Sequence, residues 1–345
     1  MKTMSTFRKA TVTAVASGAL MALLQNGRSG KMRSSVPSLP QAPTNALVLG
    51  SGGLLGAAWM AASLASLEDQ GLWEPDLDDL RIGTSAGSLL ATLLGHGITA
   101  ENLIDMLATG KYHSSNGNVD LPLSPTRDNV PFRPSDPGFL IRALASGRAP
   151  HLGTVVSSLF AEGLEETDQI EDFVNEISGS RWPETPTWLV AAEIASGVRT
   201  VFTKHSGTTP GKAVAASCSV PALFRPVSVG TKRYIDGGTI SCHNLDLALE
   251  SGAKHVTVLT PIFGYTKIDL RSGVNQALNQ FVRNSEQFSI DRLRSRLEPN
   301  TRLRIVSPGP EASAILTKGS LMNTARMAEL IKVSKNEPPQ IIESW

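Results

Sequence analysis

The chain has 345 residues, of which 41% are hydrophobic and 18% charged, and its net charge is +1. This composition is typical of a globular protein and excludes a largely disordered chain or one built mainly of apolar membrane spans. Residues 1–44 carry six basic and no acidic side chains, which leaves 26 basic and 31 acidic residues elsewhere, and this mildly acidic body argues against nucleic-acid binding.

The basic segment 1–43 has three possible interpretations. Its first nine residues include three basic side chains, residues 10–24 are mildly apolar, and residues 25–43 are rich in Arg, Ser and Pro. This layout resembles a weak export signal, while the lack of acids also suits an organellar transit peptide or a plain disordered tail. We expect a tail or a weak targeting segment, and we leave a cytoplasmic or a peripheral membrane location open.

Beyond this segment, residues 44–345 are expected to form a single domain, which opens with alternating strands and helices. The predicted elements, in chain order, are a strand at 46–49, a helix at 54–68, a strand at 80–82, and helices at 86–95 and 99–109. Strands that alternate with helices form parallel sheets covered on both faces. The sequence therefore predicts an α/β fold, a three-layer α/β/α sandwich with a mostly parallel central sheet.

The alternation stops at about 111–165, where we expect a helical and irregular insertion. Six prolines interrupt the stretch between 122 and 150, and short apolar helices are predicted at 138–146 and 153–161. A long insertion of this kind is more often a functional cover than a random loop. We expect its apolar side chains either to line a pocket or to pack against the sheet.

Alternation then resumes. The later elements are a helix at 167–178, strands at 187–194 and 200–203, a helix at 211–218, a hairpin at 224–235, a helix at 244–251, a strand at 255–260, a long helix within 271–297, a strand at 303–306 and a helix at 320–334. The two cysteines, Cys218 and Cys242, form no C-x-x-C motif, and no His/Cys cluster has metal-ligand spacing. We therefore predict no disulfide framework and no metal site.

The strongest candidate for chemistry is Gly83-Thr84-Ser85-Ala86-Gly87, directly after the predicted second strand. A serine between two glycines at this spacing fits a sharp strand-to-helix turn, which we call the nucleophile elbow. The glycines tolerate crowded backbone, and the following helix directs its N-terminal amides towards the same point. We interpret Ser85 as a nucleophile.

A glycine loop, Gly50-Ser51-Gly52-Gly53-Leu54-Leu55-Gly56, follows the first strand. Its backbone amides and the next helix could stabilise an anion, which beside a nucleophile would be an oxyanion hole. The same pattern also resembles the phosphate-binding turn of a dinucleotide fold. That alternative requires an acid at the end of the second strand, where this chain has Gly83 and Ser85.

A third segment, Asp236-Gly237-Gly238, is either an ordinary turn or the place of a base held close to Ser85. An aspartate with an unperturbed pKa near 3.9 is a weak base, so this role requires partial burial and a fixed geometry. His243 and His255 follow Asp236, which leaves a Ser–Asp–His order as an alternative.

These three motifs, in this order, resemble those of the patatin-like phospholipases, which are acyl hydrolases with a Ser–Asp dyad. The segment 215–224 also resembles the one that this family places ahead of its Asp-Gly dipeptide, and the similarity spans about 46–261. The resemblance implies Ser85 as nucleophile and Asp236 as base. It also implies the amides of Gly52 and Gly53, with that of Ala86 as a possible addition, as the oxyanion hole.

One position departs from the family pattern, because Leu55 stands where family members often carry Arg or Lys. The resemblance implies a lipid or acyl ester as substrate, with a membrane surface as one place where it could be bound, and no metal or cofactor. The Leu55 departure keeps a second function open, a catalytically weak lipid-binding or scaffolding protein on the same fold. Nucleotide binding is the third alternative.

Overall fold

The computed structural model describes residues 36–114, 117–122, 165–221, 223–264 and 274–344. Most of the basic segment and the helices predicted at 138–146 and 153–161 lie outside the described residues.

The first part of the described chain contains four strands and three helices. They are strand β1 (Asn45–Leu49), helix α1 (Gly53–Asp69), strand β2 (Leu80–Thr84), helices α2 (Ala86–Gly95) and α3 (Ala100–Thr109), and strands β3 (Lys111–Ser114) and β4 (Gly117–Asp120). Strands β3 and β4 pair with each other as a separate antiparallel hairpin.

The second part supplies the remaining elements. They are helix α4 (Asp168–Ser178), strands β5 (Thr187–Glu193) and β6 (Arg199–Phe202), helix α5 (Pro210–Ser217), strands β7 (Val227–Val229) and β8 (Lys232–Asp236), helix α6 (Leu245–Glu250), strand β9 (His255–Leu259), helix α7 (Val274–Arg294), strand β10 (Arg302–Ser307), helices α8 (Pro310–Leu316) and α9 (Met327–Asn336), and strand β11 (Gln340–Ser344).

The main sheet contains nine strands among the described residues, in the order β11-β10-β9-β1-β2-β5-β8-β7, with β6 also paired to β5. Its centre is parallel, since β10, β9, β1, β2 and β5 all run in one direction. The pairs made by β6, β7, β8 and β11 are antiparallel. The prediction of a mostly parallel sheet is thus confirmed.

Helices cover both faces of this sheet, and the alternation of side chains along β1 shows why. Leu47 and Leu49 belong to a core with α1, α2 and α3, whereas Ala46 and Val48 belong to a second core with α6 and α7. A strand buried on both faces reads as a continuous apolar run, which is what β1 shows. The three-layer α/β/α arrangement follows from this division.

Several element predictions were wrong in detail. The insertion expected from 111 begins with the β3–β4 hairpin, and helix α8 and strand β11 were not predicted. The last helix starts at Met327 instead of 320, because the Asn323 side chain accepts a hydrogen bond from the Ala325 amide and caps a short 3₁₀ turn first. Strand β11 is short and polar at both ends, and its place is fixed by pairing with β10.

Candidate active site

Ser85 lies at the turn between β2 and α2 and has a positive φ of 55°. A non-glycine residue in this region is strained and needs support from its surroundings. The Ser85 amide donates to Ser217 Oγ at 2.9 Å, and the Ser85 carbonyl accepts from both the amide and the hydroxyl of Ser88. These bonds hold the backbone of the predicted nucleophile in its unusual conformation.

The two glycines of the elbow allow close backbone contacts. A Cβ atom at Gly87 would collide with the carbonyl oxygen of Leu49, and one at Gly83 would collide with Gly87 and Ser88. Helix α2 can therefore begin directly against the end of β1. The sequence pattern of the elbow thus reflects a lack of space at both positions.

Asp236 ends strand β8, and β-sheet register brings it near Ser85. Thr84 pairs with Val190 on β5, while Asp236 pairs with the next residue, Ala191, from the other side. Gly237 passes so close to the Val190 carbonyl that a Cβ atom would collide with it. Ser85 and Asp236 are both 4% exposed. Strand β5 therefore brings two segments 151 residues apart to one end of the sheet.

Asp236 is a buried carboxyl group with two hydrogen-bond donors. Its pKa is raised from 3.8 to about 6, because burial raises it by more than the hydrogen bonds from the Ser85 hydroxyl and the Gly238 amide lower it. The Gly238 amide lies 2.6 Å from Asp236 Oδ1. Desolvation disfavours the charged form and outweighs both donors. The result is a carboxylate that is ionised at neutral pH and more basic than a surface aspartate.

The segment Ser217–Ser219 connects both residues, and sequence reasoning assigned it no role beyond the family resemblance. Ser217 Oγ accepts from the Ser85 amide and donates to the Val190 carbonyl at 2.6 Å. The Ser219 carbonyl accepts from the Asp236 amide at 3.0 Å. One short stretch at the end of α5 therefore fixes the backbone on both sides of the Ser85–Asp236 pair.

The glycine loop lies beside the elbow, since a Cβ atom at Gly87 would also come within 2.8 Å of the Gly50 carbonyl. Four of the loop's amides are already bonded: Gly50 to Leu259, Ser51 to Cys242, Leu55 to Leu321 and Gly56 to Gly52.

In the described part of the chain, three loop amides remain, those of Gly52, Gly53 and Leu54. Among the described residues, the amides of Gly52 and Gly53, and that of Ala86 on α2, donate to no protein acceptor. Gly53 has a positive φ of 57°, a conformation that glycine adopts readily. The amides of Gly52, Gly53 and Ala86 are the three donors that the resemblance implied for an oxyanion hole.

The histidines considered as an alternative lie in other contacts. His243 Nδ1 accepts from the Leu245 amide at the start of α6, and its Nε2 lies 3.2 Å from Glu286. His255 Nδ1 lies 3.1 Å from the side chain of Asn45. Neither imidazole is among the groups that shift the Asp236 pKa. Within the described residues, neither histidine is therefore hydrogen-bonded to Asp236.

Leu55, at the position where family members often carry Arg or Lys, is fully buried in the apolar core. Its side chain contributes packing and no charge to the site. Within the described part of the chain, no group of three or more His, Cys, Asp or Glu side chains could hold a metal ion. No helix in that part combines the length and apolar character needed to cross a bilayer.

The sequence model of the patatin-like phospholipases matches residues 47–249 of this chain. The chain belongs to the patatin-like phospholipase family. This match covers the glycine loop, the nucleophile elbow and the Asp236 turn, and family membership favours the hydrolase interpretation of the glycine loop over nucleotide binding. No curated protein matches the chain.

Three solved structures show a weak similarity to this family member. VipD from Legionella pneumophila is 11% identical with a TM-score of 0.36, over 88% of this chain and 68% of VipD. The type III effector ExoU is 14% identical with a TM-score of 0.33, over 88% and 56% of the two chains. In the complex of SpcU with ExoU from Pseudomonas aeruginosa, the matched chain is 13% identical with a TM-score of 0.34, over 88% of this chain and 55% of that chain. The chain thus spans little more than half of the ExoU chain, and the family assignment rests on the sequence match.

Proposed function

We propose that this protein is a lipid acyl hydrolase that cleaves carboxylic esters through a Ser85–Asp236 dyad. One observation carries the proposal. A strained serine donates a hydrogen bond to a buried carboxylate whose pKa is raised to about 6. A general base is most effective when its pKa lies near the working pH, and a serine needs an adjacent base to become a nucleophile.

Acylation begins when Asp236 takes the proton from Ser85 as Oγ attacks the acyl carbonyl carbon. The negative charge that develops on the carbonyl oxygen is stabilised by the amides of Gly52 and Gly53, with Ala86 as an additional donor. These amides are free of protein acceptors among the described residues, so they need not break other bonds to do this. Asp236 then returns its proton to the leaving alcohol, and the acyl group remains on Ser85.

Deacylation follows the same path with water as the nucleophile. Asp236 takes a proton from the water, the hydroxide attacks the acyl carbon, and the oxyanion again lies against the loop amides. The proton returns to Ser85 Oγ as the carboxylic acid leaves. Neither a metal ion nor a cofactor takes part in these steps. The substrate class follows from family membership, and a lipid at a membrane surface is the ester we expect.

The proposal is tested by hydrolysis of p-nitrophenyl acyl esters. We expect Ser85→Ala and Asp236→Asn each to lower kcat by ~10³-fold or more, because removing one member of a catalytic unit disables the whole unit. The matched controls are Ser228→Ala, at an exposed serine of β7, and Asp78→Asn. Asp78 is a second buried carboxyl group with a pKa raised to about 6, next to the opposite end of β2.

Both control variants should keep wild-type kcat. Full activity in folded Ser85→Ala or Asp236→Asn would remove that residue from the mechanism. A wild-type protein that binds lipid vesicles but cleaves no ester would instead support the catalytically weak lipid-binding function.

A further inference from the structure

The turn at residues 241–244, five residues after Asp236, contacts all three parts of the candidate site. The Ser51 amide in the glycine loop donates to the Cys242 carbonyl at 2.7 Å. Asn244 Nδ2 donates to Thr84 Oγ1, next to Ser85, at 2.9 Å. The Ser241 amide donates to the Gly237 carbonyl at 3.3 Å. This turn therefore connects the oxyanion loop, the elbow and the Asp236 turn.

A carboxylate from helix α7 holds the turn in place. Glu286 is 7% exposed and accepts from the Cys242 amide at 2.9 Å and from the Ser241 hydroxyl at 3.2 Å. Its Oε2 also lies 3.2 Å from His243 Nε2. Three successive residues of the turn are thus gathered around one buried carboxyl group, which lies 50 residues beyond Asp236 in the sequence.

The last residue of the turn is held from another direction. Asn244 has a positive φ of 49°, a region in which asparagine is found more often than most residues. Its side-chain oxygen accepts from Arg199 Nη1 at 3.0 Å, and Arg199 makes two further bonds to Asp246 on α6. The bond from Arg199 therefore orients the side-chain amide of Asn244 so that its Nδ2 donates to Thr84 Oγ1.

A buried carboxylate is costly, since its charge loses hydration that hydrogen bonds only partly replace. For stability alone, apolar packing would serve at this place equally well or better. Glu286 supplies what apolar packing cannot, which is an acceptor for the Cys242 amide and the Ser241 hydroxyl. These bonds hold the backbone at Cys242, the residue whose carbonyl accepts from the Ser51 amide of the glycine loop. Misplacement of reacting groups by about 1 Å can lower a rate by about 100-fold.

We propose that Glu286 is a positioning residue. By fixing the 241–244 turn it sets the placement of Ser85, Asp236 and the glycine loop relative to one another. This inference rests on the proposed hydrolase function, and it concerns a residue that lies outside the region matched by the family model.

The test measures kcat and KM separately on p-nitrophenyl acyl esters. Glu286→Ala should lower kcat by ~10- to 100-fold and change KM by less than about threefold, because it disturbs the geometry of the reacting groups. Glu286→Gln, which can still accept from Cys242 and Ser241, should recover most of the lost kcat. Asp78→Asn provides the control for loss of a buried carboxylate remote from the site.

A second variant guards against failure of Glu286→Ala to fold. Asn244→Gly favours the left-handed backbone and removes the bond to Thr84, and we expect the same fall in kcat at constant KM. Unchanged kcat in folded Glu286→Ala, or in folded Asn244→Gly, would overturn the positioning role. So would an equal fall in Asp78→Asn, or no recovery in Glu286→Gln.

The same assays separate the two proposals. If the wild type cleaves esters through Ser85 while Glu286→Ala is fully active, the positioning role fails and the hydrolase function stands. If the wild type shows no Ser85-dependent cleavage, both fail.

Discussion

The raised pKa of Asp236 has opposite consequences for catalysis and for the stability of the protein. As the pH rises, Asp236 becomes a usable base while its contribution to the stability of the fold falls. Its pKa is raised to about 6, chiefly because burial disfavours the charged form. Above that pH the group is ionised and able to accept the Ser85 proton. Below it, the group is neutral and cannot.

Hydrolysis should therefore depend on pH with an acid limb set by Asp236. We expect kcat/KM to be constant near neutral pH and to fall about tenfold per pH unit below an apparent pKa of about 6, since this ratio reports the free enzyme's base. The measurement is kcat/KM from pH 4.5 to 8.5. Asp78→Asn is the control, because Asp78 has a similarly raised pKa away from the site and its replacement should not move the limb. A flat profile down to pH 4.5 would contradict a base with this pKa.

The same shift predicts that Asp236→Asn stabilises the protein. A folded-state pKa above the unfolded value of 3.8 means that the protonated group's contribution is fully present below about pH 4 and is lost as the pH rises through about 6. A shift of this size corresponds to ~3 kcal/mol as an order of magnitude. The free energy of unfolding of Asp236→Asn, from urea titrations, should therefore exceed that of the wild type at pH 8. The difference should shrink towards pH 4, and a destabilised variant at pH 8 would argue against dominant desolvation.

At the level of elements, the site depends on a few bonds between segments far apart in sequence. Strand β5 pairs with β2 on one side and with β8 on the other. The Ser217 hydroxyl, on α5, accepts from the Ser85 amide and donates to the Val190 carbonyl of β5. Ser219 contributes differently, since its carbonyl accepts from the Asp236 amide while its hydroxyl donates to the Ala215 carbonyl in the last turn of α5.

This difference predicts unequal effects of two neighbouring substitutions. Ser217→Ala removes the partners of two buried backbone groups and should lower the free energy of unfolding by ~1–3 kcal/mol, with a loss of ester hydrolysis as the strained Ser85 backbone relaxes. Ser219→Ala keeps the carbonyl that contacts Asp236 and should lower the free energy of unfolding by less, with kcat near wild type. Thermal or urea unfolding combined with the ester assay measures both. Equal effects would show that the Ser217 hydroxyl has no special role.

The sequence predicts those parts of the site that are marked by a short motif of neighbouring residues. Turns that need glycine have a recognisable pattern, so the amino-acid sequence alone locates the elbow, the glycine loop and the Asp236 turn. It does not locate Ser217, Asn244 and Glu286, because each acts through partners between 27 and 160 residues away. Serine, asparagine and glutamate in helices or turns have no pattern that distinguishes such a role from a solvated surface.

In the whole molecule, the apolar cores and the candidate site lie in different places on the central sheet. Two apolar cores lie on the two faces of the central sheet. The alternation of strands and helices in the sequence predicted that both faces would be covered. The hairpin predicted at 224–235 corresponds to the antiparallel strands β7 and β8. Strand β11 was not predicted, since this short strand takes its place from pairing with β10 rather than from its own pattern. The candidate site lies at the end of the parallel strands, where the chain turns from β1 and β2 into helices.

The most direct test of this account is covalent labelling with a fluorophosphonate probe, followed by mass spectrometry of the peptides. We predict one adduct on Ser85 of the wild type and labelling of Asp236→Asn slowed by ~100-fold or more, because the hydroxyl has then lost its base. No adduct on the wild type, or an adduct on another serine that persists in Ser85→Ala, would contradict the central claim.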